Sequence, residues 1–292
     1  MPSPPAFPPF LVHYQARVED ALDRLLPAQD EPPEDVHRAM RYTLLAGSKR
    51  VRAALALLSA DVCGREERAL GVALAAELVH ASSLILDDLP CMDDAQVRRG
   101  QPACHVVFGE ATALLASFAL LDLAYRSLTR HYDDHLAARL VTLFSETVGT
   151  GGLIGGQAED LLATAREITF ERLERIHRLK TGVLFSAAAT GGALAAGGLP
   201  PQVSGLAAYA KNLGLAFQIV DDLLDVEGTE ADTGKTVRRD EKKTTFVSFS
   251  GPRGARELAG ELCATATAAL APFGARADRL RELAGFVAGR SR

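Results

Sequence analysis

The sequence predicts an all-α fold on one large domain, and three observations lead there. Hydrophobic residues make up 48% of the 292 positions, enough to bury a sizeable core. Nearly every long segment is rich in Ala, Leu, Glu and Arg, which are strong helix formers. The alternating β-branched runs that mark strands are hard to find.

Taken in order, residues 1–10 (MPSPPAFPPF) are broken by prolines and carry no basic segment, so they read as a flexible arm rather than a secretion signal. Residues 11–292 read as the folded domain. Apolar periodicity places helices near 11–26, 33–46, 49–62, 67–89, 110–130, 134–150, 152–163, 170–191, 203–226, 254–270 and 276–288. Pro27, Gly64, Gly100–Pro102, Gly197–Pro201 and Gly251–Pro252 separate them. Helix 67–89 should stop near its acids, because Pro90 offers no N–H and disfavours helical geometry at Leu89. No repeat of fixed period is seen.

A net charge of -5 argues against nucleic acid as a partner, which would want a basic face. The four cysteines (Cys63, Cys91, Cys104, Cys263) show neither zinc spacing nor a CxxC, which suits a reducing cytosol without disulfides. The longest uncharged run, between Lys180 and Lys211, is interrupted by Gly-Gly and Pro-Pro pairs, so it reads as a buried helix and no membrane span is expected.

Two acidic clusters stand out. LILDDLPCMDDAQVRRG puts Asp87, Asp88, Asp93 and Asp94 behind an apolar run, and FQIVDDLLD puts Asp221, Asp222 and Asp225 on one helical face among Phe217, Ile219, Val220, Leu223 and Leu224. Acids on apolar helices are rarely buried unless paired or coordinating metal. Mg²⁺ suits them, because it takes hard oxygen ligands and completes its octahedron with water and substrate phosphate. Separate basic clusters, GSKRVR at 47–52, Arg98–Arg99, LKTG at 179–182 and GK at 234–235, supply cations for a ligand more anionic than the metals neutralise, which suggests diphosphate. GTGGLIGG at 149–156 lacks both P-loop and Rossmann spacing and reads as close helix packing, and Cys104–His105 lacks further metal ligands.

With GSKRVR, VHASSLILDDLPCMDDAQVRRG, GLIGGQAEDL, LKTG and FQIVDDLLD in place from about Val36 onward, the chain resembles the trans-isoprenyl diphosphate synthases, the polyprenyl synthetase family of short-chain type. The resemblance implies a bundle of ten or more helices around a central cavity, the isoprenoid synthase fold. It implies a transferase that joins isopentenyl diphosphate head to tail with an allylic diphosphate (dimethylallyl, geranyl or farnesyl) in a cytoplasmic homodimer. Asp87, Asp88 and Asp93 match the first metal motif, and Asp221, Asp222 and Asp225 the second, with Mg²⁺ as the ion. Arg98, Lys180 and Lys235 match positions that grip the allylic diphosphate, and Thr181 and Gln218 positions that face the carbocation. Lys49, Arg52 and Arg99, with His80, match the isopentenyl diphosphate pocket.

Three departures from the family pattern are visible. Ser117–Phe118–Ala119–Leu120 stands where the family commonly reads GDAL, Leu86 where His is frequent, and the loop at Asp240–Lys243 is about two residues short. A class I terpene cyclase would show an NSE-type second motif, and a noncatalytic partner subunit would have lost motif acids; this chain does neither. Ser82 and Ser83 stand five and four positions before Asp87; farnesyl-forming members of the family that the chain resembles tend to carry a bulky aromatic at the fifth position, and Ser82 is too small for that, so the resemblance implies geranylgeranyl diphosphate as the product. Farnesyl diphosphate is the alternative if Phe118 supplies the floor.

Overall fold

The computed structural model describes residues 7–163, 168–227 and 244–290. Its helices are α1 (Pro9–Leu25), α2 (Glu34–Leu44), α3 (Val51–Val62), α4 (Leu70–Asp87), α5 (Cys104–Phe108), α6 (Glu110–His131), α7 (Asp134–Val148), α8 (Leu153–Ala163), α9 (Phe170–His177), α10 (Val183–Ala195), α11 (Pro200–Glu227), α12 (Phe246–Ala269) and α13 (Asp278–Gly289). The all-α expectation holds. The one sheet among the described residues is a two-stranded hairpin, β1 (Val97–Arg98) with β2 (Gln101–Pro102), paired antiparallel.

Helix α4 is apolar nearly all round and lies at the centre, packed against α3, α6 and α10, as such a helix must. Gly192 lets α10 close on α3: a Cβ there would stand 2.1 Å from the Ala56 carbonyl oxygen. The main core gathers side chains from α1 through α7 and from α10, α11 and α13, while a smaller one under α9, α11 and α12 holds Leu173, Ile219, Val220, Leu223 and Phe246. Among the described residues two helices, Glu66–Asp87 and Glu110–His131, are long and apolar enough by composition to cross a bilayer; the apolar windows are 72% and 44% buried inside the bundle.

Three sequence boundaries move. The helix expected over 170–191 is divided by a π-helical segment, Arg178–Gly182, between α9 and α10. The helix expected to start at 254 starts at Phe246, where Thr245 and Ser248 form a capping box, and kinks at Gly251 (φ 68°) ahead of Pro252. The hairpin and α5 occupy a stretch with no helical expectation. Helix α4 ends at Asp87, as Pro90 required.

Candidate active site

Past Asp87 the chain turns back on the end of α4. Asp93 N–H donates to Asp87 O (2.9 Å), Asp94 N–H to Leu89 O (3.1 Å) and Ala95 N–H to Asp88 O (3.1 Å), so the first acidic cluster closes into a compact mouth. The following hairpin turns through Arg99 (φ 54°) and Gly100 (φ 76°), both left-handed, as a tight two-residue turn demands. That turn splits the paired arginines. The Arg98 guanidinium donates from Nε to both carboxylate oxygens of Asp88 at 3.1 Å, with Nη2 adding a third contact. Arg99 instead reaches Ala46 O (3.1 Å), on the loop that carries Lys49 and leads into α3, where Arg52 sits.

Asp88, 2% exposed and held on both oxygens by Arg98, is thereby an anchor for that arginine. Asp88 and Arg98, expected at metal and at diphosphate respectively, are paired with each other in this structure.

The two acidic clusters are joined through the π segment. Lys180 Nζ lies 2.8 Å from Asp160 Oδ2 and 3.8 Å from Asp87 Oδ2. Burial opposes its charge, but Asp87 and Asp160 outweigh it and raise its pKa; burial raises that of Asp87, with Lys180 opposing. Thr181 donates to Gln218 Oε1 (2.8 Å), and Gln218 donates to Asp222 Oδ1 (2.9 Å). Asp222 also accepts from Phe246 N–H (3.3 Å), so it ties the second cluster to the start of α12. Adjacent residues of the π segment thus reach the two clusters separately, Lys180 toward Asp87 and Thr181 through Gln218 to Asp222. Gly156 makes room for that segment, because a Cβ there would stand 2.5 Å from Lys180 N; the glycine motif is a packing device, as its spacing indicated.

The cationic side lies across α3 and α11. Arg52 packs over the rings of Phe185 (4.8 Å) and Phe217 (6.0 Å), and its Nε is buried without a hydrogen-bond partner among the described residues. Burial, then the neighbouring Arg290 charge, pushes Lys49 down to about 8. Burial and the nearby Arg50 push Arg99 down to about 10. His80 is held neutral by burial and by four surrounding arginines, so it has one N–H to give.

Arg290, near the end of the chain, was not anticipated. Its guanidinium lies 3.0 Å from Asp221 Oδ1 and 4.3 Å from the Phe217 ring centroid. No periodic signal marks so late an arginine. Asp160 sat unread inside GLIGGQAEDL, whereas Glu77, the one charged residue between Leu70 and Leu86, was legible as an anomaly on an apolar helix.

Ser82 is 4% exposed and bonded to Ser117 on α6, Oγ to Oγ at 2.9 Å, with Ser117 also donating to Ser82 O (3.0 Å). Ser83 donates to His80 O (2.9 Å). Phe118, the alternative floor residue, is 60% exposed on α6, while its neighbour Ser117 takes the inward position. Lys235 and the shortened loop at Asp240–Lys243 lie outside the described residues.

The described residues gather no three carboxylate, His or Cys groups closely enough to cage an ion unaided. Clusters that offer one or two carboxylates each fit Mg²⁺ bridged by substrate phosphate rather than a protein-only cage.

The polyprenyl synthetase family model matches residues 33–256. The chain belongs to the polyprenyl synthetase family. Geranylgeranyl pyrophosphate synthase 4 of Arabidopsis thaliana is 38% identical over 293 aligned residues, covering 98% of this chain and 78% of that protein. An FPP/GFPP synthase from Zymomonas mobilis superposes with a TM-score of 0.85 at 34% identity, covering 96% of this chain and 97% of that one. A geranyltransferase from Helicobacter pylori, solved with magnesium and isoprenyl diphosphate, gives 0.81 at 30% identity over 96% and 93% of the two chains. A polyprenyl synthetase is a prenyltransferase, and the bundle with two acidic clusters facing one cationic wall is its architecture here.

Proposed function

We propose that this prenyltransferase condenses isopentenyl diphosphate with allylic diphosphates in a Mg²⁺-dependent reaction that ends at the twenty-carbon geranylgeranyl diphosphate. The observation that carries the reading is that neighbouring residues of one π segment reach both acidic clusters, Lys180 lying beside Asp87 and Thr181 bonding through Gln218 to Asp222, which supports a single site. Asp87, Asp93, Asp221 and Asp225 would hold the ion, with Asp88 supporting through Arg98. When bound, Mg²⁺ neutralises charge on a departing diphosphate.

The chain's own residues do the rest. Lys180, anchored by Asp160, presents an ammonium beside Asp87 where that diphosphate would lie. Gln218 and Thr181 place oxygen dipoles between the two clusters, where an allylic cation would be solvated. Lys49, Arg52, Arg99 and neutral His80 form the wall for the second, unionised diphosphate, which needs charge but no metal. Arg290 adds a cation beside them. Loss of the proton after carbon–carbon bond formation can fall to the released diphosphate, so no protein base is needed.

The small Ser82 and Ser83, one turn before Asp87, support the twenty-carbon product, and the Arabidopsis relative carries that name. A fifteen-carbon farnesyl product is favoured by one observation: the hydrogen-bonded Ser82–Ser117 pair pins α4 to α6 at the depth where a longer chain would have to pass. A homodimer is supported by the apolar outer face of α5 and α6, where Val106, Val107, Leu115 and Phe118 are 47–60% exposed. Four free cysteines suit the cytosol. Incubation with Mg²⁺, labelled isopentenyl diphosphate and each allylic diphosphate in turn, with chromatography of the products, tests the reading. No elongation of any primer would refute it.

A further inference from the structure

GSKRVR holds three cations, and the structure gives the middle one a separate task. Arg50 adopts a left-handed backbone (φ 49°, ψ 37°) at the N-cap of α3, a conformation unfavourable for a residue with a side chain. Its side chain is 1% exposed and is held by acceptors on three other segments. It donates to Leu44 O (2.5 Å) and lies 3.4 Å from Glu77 Oε2 and 3.6 Å from Glu19 Oε1. Glu77, 2% exposed on α4, also accepts from Ala53 N–H (3.1 Å), an otherwise unpaired amide in the first turn of α3. One carboxylate therefore caps α3 and clamps Arg50 at once.

The same helix α4 carries His80 and Asp87, so the clamp fixes the start of α3 against the element that bears the metal motif. It also sets the charge. Glu77 is the acid that counters Arg52 and Arg99 as well as Arg50, and with Arg50 drawn onto it at close range, Lys49, Arg52 and Arg99 remain a positive excess.

Resting on the condensation reading above, we infer that Arg50 touches no substrate and is a positioning residue. Through Glu77 it holds the strained turn at 49–52 so that Lys49 and Arg52 are preset for the diphosphate of isopentenyl diphosphate.

The test measures kcat and both KM values for Arg50→Met, Arg50→Lys, Arg52→Ala, the Arg50→Met/Arg52→Ala pair and Arg50→Met/Glu77→Met, with a thermal melt of each. Expected for Arg50→Met is a rise of about tenfold or more in KM for isopentenyl diphosphate, with the allylic KM and kcat within about threefold. Arg50→Lys, which keeps the ion pair, should recover part of that loss. Arg50→Met/Glu77→Met should melt closer to wild type than Arg50→Met alone, because the Glu77 carboxylate is no longer buried without Arg50, while its KM for isopentenyl diphosphate stays raised, Ala53 N–H having lost its cap as well. In the Arg52→Ala background Arg50→Met should add little, the mark of a residue that acts through another.

Additive losses in that pair would make Arg50 a direct contact and overturn the inference. So would losses in kcat and both KM values that track the melting temperature, or a double Met variant that restores binding together with stability. Calorimetric binding of isopentenyl diphosphate carries the same comparisons without turnover, so a wild type that binds but does not condense would overturn the proposed reaction and not this clamp.

Discussion

Replacing Arg98 with alanine should damage stability before it is considered as a loss of catalysis. Asp88 has a side chain 3% exposed and receives both oxygens' hydrogen bonds from Arg98, itself 20% exposed. Removing one partner of a buried pair costs about 3–5 kcal/mol, because the remaining charge is stranded. Partial access of water along Arg98 puts this case near the low end, about 3 kcal/mol. With a urea m-value near ~3 kcal/mol/M, the midpoint should fall by about 1 M. Urea titrations at neutral pH, with Arg98→Met/Asp88→Leu as the variant that removes both partners, measure it. An Arg98→Ala midpoint within about 0.3 M of wild type at neutral pH would refute the anchor assignment.

Asp87→Ala and Asp221→Ala should each abolish turnover with helical circular dichroism retained, each tenfold in rate standing for about 1.4 kcal/mol of lost stabilisation. Lys49, lowered to about 8, should lose its proton as pH rises through that value, so KM for isopentenyl diphosphate should climb between pH 7 and 9, and Lys49→Arg should flatten the profile. Because its folded pKa lies below the unfolded one, the folded state holds fewer protons in between, and the Lys49 contribution to stability should rise with pH there, visible as a smaller wild-type deficit against Lys49→Arg in urea. Ser82→Tyr should shorten the product to fifteen carbons and, by overpacking the α4–α6 contact, lower stability by about 1–3 kcal/mol; product chromatography and melting check both.

Much of the architecture was legible because helix formers, breakers and apolar stripes act locally: α4, α6 and α7 fall close to where periodicity put them. The π segment was not, since Arg178–Gly182 has helical composition and only its tertiary partners, Asp160, Asp87 and Gln218, choose the wider turn. Charge pattern likewise singled out Asp87, Asp221, Lys180 and Arg52, but could not divide labour within a cluster. Asp87 and Asp88 are neighbours in sequence, and only the hairpin's left-handed turn at Arg99 turns one of them into an anchor. The direction Phe118 faces was likewise not legible: the inward direction at α6 is set by its packing on α4, where Ser117 meets Ser82.

The π segment also makes folding and chemistry separable at a single place. A π turn amounts to one residue more than the regular helix needs, so a chain lacking one residue between Arg178 and Gly182 could run α9 into α10 without interruption. The flanking helices would keep their seats in the bundle, and circular dichroism would register nothing. What would vanish is the local frame that shows the adjacent Lys180 and Thr181 to opposite acidic clusters. Such a shortened relative would pass as a well-folded member of the family while having lost the bridge between its two metal motifs.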